Sequence, residues 1–250
     1  MNTCWICNIY ANSREHKIKR SDLVRIFGDG SDFREAELNY RKHDGSIVVL
    51  QGPNSKHLKF DKVLCEKCNN ERTQSFDIAY DSFIEYVDSN HELILGTRQI
   101  DFQKVYRNNW EESQLDLFRY FAKALGCRIA DIGREVPLDM RELLFISPFQ
   151  TMLWVCFAID EDELIKPDKN QTLRIGNIIT NEPNLSYAKF ASSYRYKWLL
   201  ISFWYGWGPF GPVGSKWCAD SQFIYLGSYS ESLAKPLLSN GKDEFQWPGL

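Results

Sequence analysis

The chain predicts an α+β protein in two parts: an N-terminal, zinc-stapled ββα module with a helical extension, followed by a β-rich C-terminal domain. Three observations carry this. Cysteines occur as two Cys-x-x-Cys pairs, Cys4/Cys7 and Cys65/Cys68, far apart in the chain. Apolar residues recur at helical spacing through the stretch that follows the second pair. From about residue 150 the chain turns to β-branched and aromatic runs broken by Gly, Pro, Asn and Asp. The bounds follow as 1–90 for the module, 91–148 for helices packed on it, and 149–250 for the β-rich domain.

The cysteine frame is the strongest signal. A two-residue spacer lets both thiolates of a knuckle address one ion, and two knuckles supply the four sulfurs of a closed tetrahedral Zn²⁺ site. Cys7 and Cys65 are 58 positions apart, which leaves room for an inserted hairpin because closure entropy grows only logarithmically with loop length. A closed site has no open position for water, so this zinc is structural. Cys127, Cys156 and Cys218 read as core thiols. Seven cysteines with an odd, scattered remainder do not make a disulfide framework.

Composition narrows the function classes. Hydrophobic content of 44% and charged content of 25% are those of a globular protein. No stretch reads as a signal peptide or a membrane span, so the expectation is a cytoplasmic protein with reduced thiols and no membrane partner. A net charge of −3 gives no global attraction to a polyanion, so a nucleic-acid surface has to be local. Arg14, Lys17, Lys19, Arg20 and Arg25 supply a local excess of cations.

Taken in order, residues 15–18 read as a strand, and Ser21 as the N-cap of a helix over 22–27 that Gly28 stops. Asp44-Gly45 is a hairpin-turn dipeptide between segments 33–41 and 46–50. Gly52-Pro53-Asn54 marks a loop, and 58–63 a strand leading into Cys65. Phe76, Ala79, Tyr80, Phe83, Ile84 and Val87 place one apolar stripe on a helix over 69–88. A second helix over 109–131 carries Leu115, Phe118, Phe121, Ala122, Leu125 and Ile129 and is closed by Gly133; Pro137 opens a third. Strands are expected at 152–158, 172–180, 187–190, 194–205 and 222–225. The acidic run 160–163 reads as a solvated turn, the tryptophans of this half as core, and the residues after Leu237 as a tail.

Cys4-x-x-Cys7, Glu15-His16 and Leu64-Cys65-x-x-Cys68-Asn69-Asn70 before a helix resemble the HNH (His-Me finger) endonuclease family over about residues 1–88. Leu125-Gly126-Cys127-Arg128 and Val136-Pro137 more distantly resemble the helical extension of bacterial proteins of that kind. The resemblance implies hydrolysis of DNA phosphodiesters, with His16 as general base and Glu15 and Asn69 as ligands of a catalytic Mg²⁺ or Mn²⁺. Imidazole titrates near neutral pH, and a hard cation prefers oxygen ligands. Arg14, Lys17, Lys19, Arg20 and Arg72 are then candidate phosphate contacts. The sequence departs from the family at Phe60, where an asparagine that orients the histidine is expected; Asp61 beside it and Asn54 in the preceding loop are the candidates for that role. The β-rich domain would serve recognition or regulation, with a protein partner among its targets. Restriction and anti-phage defence are compatible settings. A reading of another class, a non-catalytic zinc-knuckle module binding nucleic acid or protein, draws on Phe60 and the acidic net charge.

Overall fold

The computed structural model describes residues 3–41, 45–146, 150–166, 173–176, 178–180, 190–206 and 213–234. Helix α1 (Arg20–Phe27) and a short α2 (Ser31–Glu35) lead into a hairpin of β1 (Asn39–Arg41) and β2 (Ile47–Val49). Then come α3 (Gln74–Ser89), α4 (His91–Thr97), β3 (Gln99–Asp101), α5 (Phe102–Tyr106), α6 (Trp110–Asp131) and α7 (Leu138–Glu142). The remainder runs β4 (Leu153–Ile159), α8 (Glu161–Leu164), β5 (Leu173–Ile175), β6 (Ile179–Thr180), β7 (Phe190–Tyr196) and β8 (Leu199–Tyr205). It closes with β9 (Ser215–Trp217), β10 (Phe223–Tyr225), β11 (Gly227–Ser228) and α9 (Tyr229–Ala234). Two compact units result: Met1–Asn90 with Phe102–Thr151, and His91–Asp101 with Met152–Leu250. Among the described residues no helix is long and apolar enough to cross a membrane.

The first unit is built on α3 and α6. All six residues of the α3 stripe are buried, and α6 buries Leu117, Phe118, Phe121, Ala122, Leu125 and Ile129. Where the helices meet, the rings of Tyr80 and Tyr120 stack at 4.1 Å, and Phe121 meets Tyr80 edge-on at 6.1 Å. Aromatic pairs in these geometries add to the stabilisation from burial alone. α5 joins them through Phe102 beside Phe83 and through the Tyr106 hydroxyl, which donates to the Ala79 carbonyl at 2.9 Å.

Ahead of α3 two antiparallel segments run side by side. Ser13 lies opposite Leu64 and His16 opposite Lys59. The rungs are Ser13 N to Leu64 O (2.9 Å), Phe60 N to Glu15 O (2.9 Å) and Lys17 N to Leu58 O (2.7 Å). The expected strands at 15–18 and 58–63 are here isolated bridges and not full strands, followed by α3. Between them sit α1, α2 and the β1–β2 hairpin. Gly28 stops α1 as expected, its N–H bonded to the Val24 carbonyl. Ser21 does not cap that helix. Lys19 holds the cap position, and the Ser21 hydroxyl instead donates to Asp81 of α3 at 2.8 Å. Residues 31–35 are helical, so the first hairpin strand shrinks to β1; Asp44 lies outside the described residues.

In the second unit β11, β4, β8, β7 and β5 neighbour one another in that order, β6 adds to β7 and β9 to β4. β11 runs parallel to β4, and the other pairs are antiparallel. β4, β7 and β8 are buried along nearly their whole length. The apolar run 194–205 therefore belongs to two strands, joined by a tight turn at Lys197 with φ 52. Gly214 is required where β9 approaches β4: its φ is +99, and a Cβ there would stand 2.4 Å from the Phe157 carbonyl oxygen. Residues 91–101 were expected among the packed helices. They fold instead with this unit, because β3 pairs with β10 from Gln99 opposite Tyr225 to Asp101 opposite Phe223.

The acidic run also departs from expectation. Asp160 caps α8 by accepting the Glu163 N–H, and Asp160 and Glu163 are both buried around Arg195. Trp198 and Trp217 are core residues; Trp207, Trp247 and the residues after Leu237 lie outside the described residues.

Candidate functional site

The first knuckle is a tight turn. Cys4 N donates to Ile9 O at 2.7 Å and Asn8 N to Cys4 O at 2.8 Å, with Asn8 in the left-handed region at φ 62. The second knuckle leads into a wide π-type turn over Lys67–Glu71, and Cys68 N donates to Cys65 Sγ at 3.4 Å. The rung from Trp5 N to Val63 O, 3.1 Å, draws the two knuckles together.

All four sulfurs lie within 4.8 Å of one another, and Cys7 Sγ is 3.6 Å from Cys65 Sγ. Zinc at a bond length of about 2.3 Å to each sulfur requires sulfurs about 3.8 Å apart, so the donor set fits the ion. The cluster can hold a metal ion such as zinc. Burial pushes the thiols of Cys4 and Cys68 up, whereas at Cys7 hydrogen bonds from Ile9 and the other cysteines outweigh burial and hold it down. A bound dication favours the thiolate form of all four.

Two further contacts tie this centre to the helices. Trp5 is buried, and its indole N–H donates to Cys127 Sγ on α6 at 3.5 Å. A Cβ at Gly126 would stand 2.6 Å from that indole ring, so only glycine lets the knuckle sit on α6. Arg72 Nη1 donates to Cys68 Sγ at 3.6 Å while its guanidinium lies 4.1 Å from the centre of the Phe145 ring. A cation in that place offsets thiolate charge.

The Glu-His pair splits between two faces, as alternation along an extended segment requires. Glu15 turns inward. Its Oε1 accepts the His16 N–H at 2.8 Å, and its Oε2 meets the Lys123 ammonium at 2.6 Å. Lys123 is only 2% exposed and also meets Asp77 at 3.3 Å. Burial opposes its charge, but the Glu15 and Asp77 carboxylates prevail and raise its pKa.

His16 lies on the other face. The Asn54 side chain is hydrogen-bonded to the imidazole, and Nε2 is buried with no hydrogen-bond partner. Burial first, then the Lys59 charge, lowers its pKa from 6.5. Of the two residues considered beside His16, Asn54 is the one that interacts with the ring. Asp61 pairs with Arg14 at 3.9 Å, and Phe60 is buried. Asn69 donates from Nδ2 to Ser13 Oγ at 3.0 Å and keeps Oδ1 buried without a partner.

That orphaned oxygen suits a cation, but Glu15 does not complete the site. Both of its oxygens are engaged and its charge is met by Lys123. A neutral amide and a neutralised carboxylate do not fit a hard Mg²⁺ or Mn²⁺ in this arrangement.

Of the five cations expected on phosphates, Lys17 and Lys19 are partly buried in ion pairs, whereas Arg14, Arg20 and Arg72 are exposed although each has a partner. Lys19 bonds Asp77 and Asp81, each at 3.1 Å, and lies over the rings of Tyr80 and Tyr120. Lys17 pairs with Asp131 at 3.8 Å and lies over Tyr40 and Phe60. Arg20 pairs with Asp29, Arg14 with Asp61, and Arg72 faces the cysteines.

Sequence reasoning missed Lys123. Its one signal is a charged residue between Ala122 and Leu125, inside the buried arc of α6. No protein-family model, curated protein or solved structure matches the chain.

Proposed function

We propose that the first unit is an HNH-type endonuclease that hydrolyses DNA phosphodiesters with His16 as general base, and that the β-rich unit serves recognition or regulation. The observation that carries this reading is the imidazole. It is half-buried on the paired segments that lead to Cys65, opposite Lys59, with Asn54 beside it and Nε2 free of protein partners.

A lowered pKa keeps the ring neutral, and so basic, at neutral pH. Nε2 accepts the proton of the water that attacks phosphorus. The Asn54 hydrogen bond and the adjacent Glu15 charge favour the imidazolium so formed. A metal held by Cys4, Cys7, Cys65 and Cys68 would take no part in that step; the four cysteines would use it to fix the register of the segments that carry His16 and Asn69. The divalent cation that the family resemblance implies is given no step, because Glu15 serves Lys123.

That pair favours a second reading, a zinc-stapled module that binds without cleaving. Supercoiled plasmid separates the two. Zinc-loaded protein is incubated with Mg²⁺ or Mn²⁺ beside His16→Ala; nicking by the wild type and none by the variant is the expected result. Equal nicking by both would remove His16 from the chemistry. No nicking by either, with normal zinc content, would favour the binding module.

A further inference from the structure

The cations named from sequence each have a partner, yet the ladder carries others that have no acidic one among the described residues. Residues directly opposite in an antiparallel pair share a face. His16 is opposite Lys59, while their neighbours Glu15 and Phe60 turn to the core. Lys59 therefore stands beside the imidazole, and its charge is among the causes that lower the His16 pKa. It has no acidic partner among the described residues. One turn earlier, Lys56 is exposed on the short turn Lys56–Leu58 and likewise has none. Asn54, exposed, completes this edge with its bond to His16.

We infer that Lys59 and Lys56 form the phosphate-binding edge of the site, with a nucleic-acid backbone running along the return segment 54–59. One phosphate lies against the Lys59 ammonium, on the face that Lys59 shares with His16, and a second lies against Lys56. The inference rests on the nuclease reading and gives that site its substrate contact. It moves the binding face from residues 14–20, whose cations are engaged, to a segment whose cations are not. Both lysines project from a turn and a ladder edge, so their exchange for glutamine leaves the core untouched.

The test is the salt dependence of binding to a fluorescein-labelled duplex, measured by anisotropy with zinc-loaded protein and no added divalent cation. Removing one lysine–phosphate pairing lowers the slope of log Kd against log[NaCl] by about 0.9. Lys59→Gln is expected to lower it by that amount and Lys56→Gln/Lys59→Gln by about twice that. Lys19→Gln, whose ammonium lies between Asp77 and Asp81, should leave the slope close to wild type. Melting curves recorded alongside show that each variant is folded. Plasmid cleavage that depends on His16, combined with a wild-type slope in the double variant, overturns this inference and leaves the nuclease reading standing. A wild-type protein with no salt-dependent binding overturns both.

Discussion

The two units each bury a cation between two carboxylates, but the cations differ. In the first unit it is a mid-helix lysine, Lys123, at 2.6 Å from Glu15 and 3.3 Å from Asp77. In the second it is a mid-strand arginine, Arg195, at 2.6 Å from Asp160 and 3.8 Å from Glu163. Lys123 gathers the ladder, α3 and α6, three segments distant in sequence. Arg195 ties β7 to the capped turn that follows β4 and lies 5.5 Å from the centre of the Tyr229 ring at the start of α9. An ammonium is a point charge that accepts partners from several directions, whereas a guanidinium presents a planar fork. The surroundings differ in the same sense. The first unit's ladder consists of isolated bridges, so an ionic clasp, together with the metal ion that its four cysteines can hold, would fix its register. The second has a seven-stranded sheet whose backbone bonds already do so.

Breaking the metal centre should therefore have the largest effect and respect the division. Structural zinc contributes on the order of 10 kcal/mol to small zinc-finger peptides. Chelation, or Cys65→Ser, is expected to abolish hydrogen-exchange protection in the ladder and α3 while β4, β7 and β8 keep theirs. Equal loss in both units would refute the contrast.

Removing one partner of a buried ion pair costs roughly 3–5 kcal/mol. Lys123→Met should fall at the low end of that range, because Asp77 is partly solvated, and should loosen residues 13–16 and 58–64. Arg195→Met should fray α8 instead, since Asp160 and Glu163 are both almost wholly buried. Chemical denaturation followed by exchange mapping distinguishes these patterns. Loosening of the same segments by both substitutions would contradict the assignment.

The smallest effect is expected at Arg72. Partners that bond to metal ligands typically contribute ten- to a hundredfold in affinity, and Arg72→Ala should lose about tenfold in competition with a zinc-chelating dye. Unaltered affinity would mean that Arg72 merely packs on Phe145.

How much of this was legible in the sequence follows from how local each feature is. The stripe from Phe76 to Val87 and the cysteine spacing are periodic or short-range signals, and both lead to the observed elements. Gly28 and Gly133 end their helices because the left-handed backbone there is intrinsic to glycine. Ser21, by contrast, had a local option as a cap and was drawn to Asp81 across the fold. β3 is three residues long and finds its partner near the other end of the chain, so no nearby pattern announces it. The acidic run looked solvated because nothing adjacent reveals that Arg195 will arrive beside it. At the proposed site, the sequence singles out His16 by its place between the cysteine pairs and offers Asn54 as one of two neighbours, and the structure puts Asn54 beside the ring. Glu15's engagement with Lys123 was not readable, since a lysine on a helix normally faces water.

The seat of Trp5 on Gly126 has a kinetic consequence. The indole covers Cys127, a thiol with no exposed surface whose pKa burial pushes up to about 12. While the seat is occupied that sulfur is chemically silent; when the knuckle lifts, it becomes an ordinary nucleophile. Alkylation at Cys127 thus works as a stopwatch, each label recording one occasion on which the metal centre let go of its helix.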